Sequence, residues 1–390
     1  MHEHPSSLYQ HEIKKVLARI LMKRLIEKLG VHTCLTSLLV TVLFFGLAVA
    51  ASAQSFTVNN LTADVPGVAA NTDPNLIGPV GLSRGIIGKW WIPNSGSATS
   101  TLYDGNGVAS ALIVNLPPVP GSSTPTRATG TVFTGAVGFN VSPGNPALFM
   151  FVTLDGTILG WNPNVDLFNA VVLVNRNGKA SYTGMTTAEI GASHYLYAVN
   201  ALTARIEVFD TTLQNVVFKG DVFREPDLPE GLAPFNVQNI GRDIVVTYHR
   251  DGGERSDGPQ GWVAIFDASG HFLSRLHSHS LNAPWGVALA PQDYGEFSHL
   301  LLVANHGSGQ IAAFDPFTGE FVGFMLDSNG NVISIDGLWA LGFSDGGIAD
   351  FITVMGPYNA CYFTAGTQMG QHGLFGNLVP VDSDQTHDEQ

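Results

Sequence analysis

A short phrase of β-forming residues, ending in an aromatic, an Asp or Asn and a turn, recurs along the chain, and it constrains the fold more than any other feature. It reads Thr101-Leu102-Tyr103-Asp104-Gly105, Ile158-Leu159-Gly160-Trp161-Asn162, Ile206-Glu207-Val208-Phe209-Asp210, Val263-Ala264-Ile265-Phe266-Asp267 and Ile311-Ala312-Ala313-Phe314-Asp315. The Asp or Asn positions lie 58, 48, 57 and 48 residues apart. Four-stranded propeller blades repeat at about 40 to 50 residues. Two further phrases recur in step. Pro79-Val80-Gly81-Leu82, Thr129-Gly130-Thr131-Val132-Phe133, Pro234-Phe235-Asn236-Val237, Pro284-Trp285-Gly286-Val287 and Gly337-Leu338-Trp339-Ala340-Leu341 read as innermost strands. Trp90-Trp91-Ile92-Pro93, Leu148 to Val152, Tyr195 to Val199, Ile244 to Tyr248, Leu300 to Ala304 and Tyr362-Phe363-Thr364 read as the strands that follow, and these six copies predict six blades. A small sheet has two apolar faces that it cannot bury alone, so stacking around an axis covers them and ring closure removes the exposed ends. The expectation is an all-β, six-bladed β-propeller of four-stranded antiparallel blades over residues 54–381, with Phe56-Thr57-Val58 completing the last blade so that the two ends of the chain pair.

Residues 1–53 are read apart from the fold. Lys14, Lys15, Arg19, Lys23, Arg24 and Lys28 make a basic lead, Leu35 to Ala50 is an uncharged apolar run, and Ala51-Ser52-Ala53 is a small-residue cleavage box, the three parts of an export signal. Cleavage before Gln54, release to the periplasm or outside the cell, and no stable membrane anchor afterwards are the expectations. An uncleaved anchor competes, because the run approaches the roughly 20 residues that span a bilayer. Met22 offers an alternative start. Residues 382–390 are polar and acidic and are expected to be disordered.

The formal net charge is −14. Removing residues 1–53 takes away six basic and three acidic residues, leaving 12 against 29. Such a field repels nucleic acid and anionic membranes, so neither is an expected partner; a small molecule, a glycan or a protein is, and the chain is expected to act as a monomer. Cys361 is the one cysteine after residue 53. An intrachain disulfide is thereby ruled out there, and Cys361 reads as a buried small hydrophobe.

These phrases resemble the NHL-type six-bladed propellers. A closer resemblance is to an uncharacterised family of exported bacterial propellers, some of which end in a PEP-type sorting anchor. It rests on Val65 to Leu76, Ala233 to Gly241, Leu281 to Pro291, Ile335-Asp336-Gly337-Leu338-Trp339 and His372-Gly373-Leu374-Phe375-Gly376. Two departures stand out: the first blade has Pro79-Val80-Gly81 where the resemblance implies a tryptophan before the glycine, and the C-terminus carries no PEP-type anchor. The resemblance implies the fold and an exported protein but no reaction.

Propeller ligand sites gather at one mouth of the central channel. Asn94, Asn200 and Asn305 end second strands, while Asn236, Trp285, Asp336 and Trp339 sit on innermost strands or their entry loops, and these seven are the candidate channel-mouth residues. A ring of amide oxygens with one carboxylate would suit a divalent cation, calcium or zinc. The competing reading, which stands ahead, is that the asparagines are turn formers bonding their own backbone and that the tryptophans pack; no cofactor is then expected. The aromatic-Asp carboxylates recur once per blade and read as turn caps. His271, His277 and His279 lack the further ligands that tetrahedral zinc needs, Asp327 to Asn331 reads as a hairpin turn instead of a calcium loop, and no nucleophile elbow is present. His249 and His306 could each reach the channel mouth as a general base.

Two functions from different classes remain open: a non-catalytic binding module of the cell envelope or extracellular space, and a metal-dependent, lactonase-like hydrolase or a lyase. A quinone-dependent dehydrogenase is disfavoured, because no basic cluster is there to hold the cofactor carboxylates.

Overall fold

The computed structural model describes residues 54–86, 88–250, 260–344, 356–357 and 359–381. The proposed export segment and the acidic tail lie outside the described residues, and so do residues 345–355, between the first and second strands of the last blade.

The described chain is almost entirely β and forms six blades. Blade 2 runs outward through Ala128–Phe133, Phe149–Thr153, Thr157–Trp161 and Val171–Asn175. Blades 3, 4 and 5 repeat the order from Tyr182–Ile190, Leu232–Ile240 and Pro284–Leu289 as their innermost strands. Blade 1 has three ladder strands, Trp90–Asn94, Thr99–Tyr103 and Val114–Asn115, and residues 79–83 supply its inner edge through the bridges Pro79 to Asn94 and Ser83 to Trp91. Blade 6 joins both chain ends: Leu338–Phe343, Cys361–Ala365 and Leu374–Pro380 are followed by Phe56–Ala63 as the fourth strand. Phe56 pairs with Pro380, Thr57 with Val379 and Val58 with Leu378, as the strand phrases predict.

Packing between blades explains why the phrases are so apolar. The second and third strands of blades 1, 2 and 5 are buried at every position, as strands covered on both faces must be. Trp91 of blade 1 stacks on Phe149 of blade 2 with ring centroids 4.0 Å apart, and Trp90 meets Tyr362 of blade 6 at 4.8 Å. Cys361 is fully buried in that same sheet and unpaired; burial pushes its thiol pKa far up, so it behaves as a small hydrophobe.

The carboxylates of the aromatic-Asp phrase cap turns. Asp104 Oδ1 accepts from the N–H groups of Asn106 and Val108, Asp210 Oδ1 from Thr212 and Gln214, and Asp315 Oδ1 from Phe317 and Thr318. Asp327 does the same with Asn329 and Asn331. The backbone N–H groups of Thr318 and Phe317 hold the Asp315 carboxyl below its usual range.

Candidate functional site

The innermost pairing of every blade slips by one residue at the same place. In blade 2, Ala128 faces Thr153 but Gly130 faces Val152; in blade 3, Tyr182 faces Asn200 but Gly184 faces Val199; in blade 4, Pro234 faces Tyr248 but Asn236 faces Thr247. Blades 5 and 6 slip between Pro284 and Val287 and between Leu338 and Leu341. In blade 1 the bridges at Pro79 and Ser83 span four residues against three on the partner strand. A bulge of this kind re-aims one side chain out of the sheet. The residues in the six slips, Val80, Thr129, Thr183, Phe235, Trp285 and Trp339, all line one cavity of about 590 Å3 at the channel mouth.

Small residues follow these six because neighbouring inner strands touch there. A Cβ on Gly81 would stand 3.1 Å from the Thr131 nitrogen, and one on Gly286 would overlap the carbonyl of Trp339. Blade 4 is the exception. Its Asn236 occupies the space over Gly184, where a Cβ would overlap the Asn236 amide, and its Nδ2 donates to the Trp285 carbonyl at 2.9 Å.

The six lining positions are not equivalent in size. Blades 4 to 6 supply Phe235, Trp285 and Trp339, and blades 1 to 3 supply Val80, Thr129 and Thr183, so the axis is filled on one side and open on the other. The aromatic side is rigid. Trp285 and Trp339 meet edge to face at 5.8 Å, Phe235 meets Trp339 at 5.8 Å, and Trp285 Nε1 donates to the Thr183 carbonyl at 3.1 Å. Thr183 Oγ1 is covered and has no hydrogen-bond partner.

His306 comes from the hairpin between the second and third strands of blade 5 and lies flat on Trp339, with centroids 3.6 Å apart. Its Nδ1 donates to the Leu338 carbonyl at 3.0 Å, leaving Nε2 as the acceptor of a neutral ring. Burial holds its pKa below the usual imidazole value, His249 adds to that, and the Leu338 carbonyl and Asp336 oppose it. His249 stacks on Phe235 at 4.0 Å. At the mouth stand Asp336, whose Oδ2 accepts from the Gln368 N–H at 2.8 Å, and Arg127, 3.7 Å from Asp155.

Of the seven residues expected at the mouth, Trp285, Trp339 and Asp336 line the cavity. Asn94, Asn200 and Asn305 are fully buried and outside its wall, and Asn236 lies behind the wall, so the asparagines do not converge with Asp336. The reason is local bonding. Asn200 Oδ1 accepts from the Ser181 and Leu202 N–H groups, and Nδ2 donates to Glu207. Asn305 Oδ1 accepts from the Asn282 N–H and Nδ2 donates to the Ser280 carbonyl; Asn94 Nδ2 donates to the Thr101 hydroxyl. Asn200 and Asn305 thus pin the loops that lead into their own inner strands. Among the described residues no three His, Cys, Asp or Glu side chains converge as metal ligands. His271 instead faces Asp267 at 2.9 Å.

Sequence reasoning missed Thr183 as a lining residue because the inner strand of blade 3 carries neither Pro nor an aromatic at the bulge. The signal was present in Tyr182-Thr183-Gly184, which copies Ala128-Thr129-Gly130. Phe235, Val80 and Thr129 sat inside recognised phrases without being singled out.

No protein-family model matches the chain. Among solved structures, virginiamycin B lyase from Staphylococcus aureus aligns with 84% of this chain and 100% of its own at a TM-score of 0.50 and 12% identity, a likeness of fold alone. Among sequences, "Uncharacterized protein L690" of Acanthamoeba polyphaga mimivirus is 29% identical across 83% of this chain and 86% of its own length. "Uncharacterized protein R648" of the same virus is 31% identical across 83% of this chain and 80% of its own. By a match of that extent, the chain belongs to the family of the mimivirus protein R648.

Proposed function

We propose that the protein is a non-catalytic binding module that takes a small organic ligand, bearing an apolar ring, in the channel-mouth cavity. The division of the six bulge positions into an aromatic half and a small half carries this reading. Phe235, Trp285 and Trp339 offer faces and edges to a ring, and Val80, Thr129 and Thr183 leave the room beside them. The volume falls within the roughly 300–1,000 Å3 typical of small-molecule pockets. Thr183 Oγ1 lacks a partner, and Asp336 and Arg127 offer an acceptor and a donor to polar substituents at the rim.

The test is a tryptophan-fluorescence titration of the protein with a panel of ring-bearing compounds. Saturable quenching that weakens at least tenfold in Thr183→Trp, which fills the open half, and in Trp285→Ala supports the reading. A ligand that binds Thr183→Trp as tightly as the parent protein overturns it.

His306 favours a second reading, a hydrolase or lyase, because a neutral imidazole with Nδ1 tied to a carbonyl can take a proton at Nε2. The metal-dependent version predicts stoichiometric calcium or zinc by elemental analysis and a chelator-induced loss of thermal stability. Export is part of the proposal and rests on the leader at 1–53; N-terminal sequencing of the protein recovered outside the cytoplasm tests it, with Gln54 as the expected first residue.

A further inference from the structure

A second and larger cavity, of about 1050 Å3, lies between blades 3 and 4 and is walled on one side by residues 215–228. It shares no lining residue with the channel mouth. Its charged groups are matched except for Arg205, which stands exposed at the edge without an ion-pair partner among the described residues. Arg176 bonds Glu207 at 3.2 Å, Arg224 pairs with Asp221, and Arg275, from just behind the wall, meets Glu225 at 2.7 Å. Two buried oxygens in the wall are not matched. Tyr248 is 1% exposed and its hydroxyl has no partner; Glu225 is 4% exposed and its Oε2 has none.

Tyr248 is also out of pattern. It stands opposite Pro234, the residue before its blade's bulge, where blades 1, 3 and 5 place Asn94, Asn200 and Asn305 and blades 2 and 6 place Thr153 and Ala365. Asn200 and Asn305 are satisfied inside their own blades, whereas Asn94 keeps a buried Oδ1 without a partner. The tyrosine in blade 4 instead brings an unsatisfied hydroxyl to the cavity.

We propose that this cavity is a second ligand site, independent of the channel, and that it takes a neutral polyhydroxylated molecule such as a pyranoside. An ionised carboxylate only accepts, whereas a phenol donates and accepts. A ligand hydroxyl meets both demands: it donates to Glu225 Oε2 and accepts from Tyr248. A cation at that point would face Arg275, and an anion would face Glu225. The apolar part of the wall, Val216, Phe218, Val222 and Leu228, suits the C–H face of a sugar ring.

The experiment is ligand-observed saturation-transfer NMR on the full chain with methyl α-D-glucopyranoside, methyl α-D-mannopyranoside and myo-inositol, with n-butylammonium and acetate as charged controls. Saturable binding of at least one hydroxylated probe, weakened fivefold or more in Tyr248→Phe and in Glu225→Gln but unchanged in Trp339→Ala, is the result expected. Two variants are used so that a folding defect in one does not decide the outcome. Absence of saturable binding by all three hydroxylated probes overturns the proposal in favour of buried water on the two oxygens. Binding lost in Trp339→Ala but kept in Tyr248→Phe also overturns it, since the sugar would then sit in the channel, and so does tighter binding of either charged control.

Discussion

The imidazole of His306 is stacked on the indole of Trp339 at 3.6 Å, with its Nδ1 bound to the carbonyl of Leu338, the residue that precedes that tryptophan by one. One histidine from blade 5 therefore clamps the bulge of blade 6. Burial keeps the ring neutral.

This clamp gives stability a dependence on pH. The unfolded chain protonates its histidine near pH 6.5, and the folded pKa lies lower, so the unfolded state binds more protons between the two values. The stabilisation is complete above pH 6.5 and is lost as pH falls through the folded value. Urea midpoints measured from pH 8 to pH 5 should fall, and His306→Gln should flatten that decline.

Gly184 and Asn236 form a reciprocal pair at the junction of blades 3 and 4. Gly184→Ala should cost about 1–3 kcal/mol, the range for overpacking a filled interior. Asn236→Gly restores the spacing found at the other glycine bulges, so the double variant should be more stable than the sum of the single losses predicts. A coupling energy of about 0.5–3 kcal/mol is the scale for residues in contact; additive losses in a denaturation cycle would contradict the arrangement.

Much of the architecture was legible because the second strands are largely buried on both faces and so carry apolar phrases. Tyr195 to Val199 and Leu300 to Ala304 are recognisable on that ground alone. The channel was only half legible. Trp285 and Trp339 announced themselves by size, but a bulge is a relation between two strands, and nothing in Ala128-Thr129-Gly130 says that Thr129 is the extra residue. The asparagines were ambiguous for a related reason: recurrence at strand ends is what a repeated turn produces, and it is the same regularity that a ring of ligands would show.

Tyr103 donates from its hydroxyl to Asp73 Oδ2 at 2.8 Å, deep in the contact between blades 1 and 6, while Asp73 Oδ1 holds the N–H of Asn75. Tyr103→Phe leaves a buried carboxylate oxygen without a donor and should cost about 1–3 kcal/mol. Chemical denaturation reads this directly. An unchanged midpoint would mean that water replaces the phenol.

Phe56 is the anchor of the closing strand, 1% exposed and packed at 5.0 Å from Tyr294 and 5.3 Å from Phe297. Phe56→Ala should cost about 3–5 kcal/mol, the usual loss for a buried phenylalanine. Hydrogen exchange should then rise first at Leu374 to Pro380, the strand that it zips, and a uniform rise would argue that the ring opens elsewhere.

That zip has a consequence for how the chain is made. Asn59 and Asn377 bond to one another across 318 positions, so Phe56–Ala63, which pairs locally only at Thr62 and Ala63 with Asn71 and Thr72, lacks its long partner until Leu374–Pro380 has been synthesised. Blades 1 to 5 can assemble as they emerge, whereas the edge of Phe56–Ala63 that meets Leu374–Pro380 must wait unsatisfied for that strand. Whatever shields Phe56–Ala63 during that interval governs the yield of finished discs.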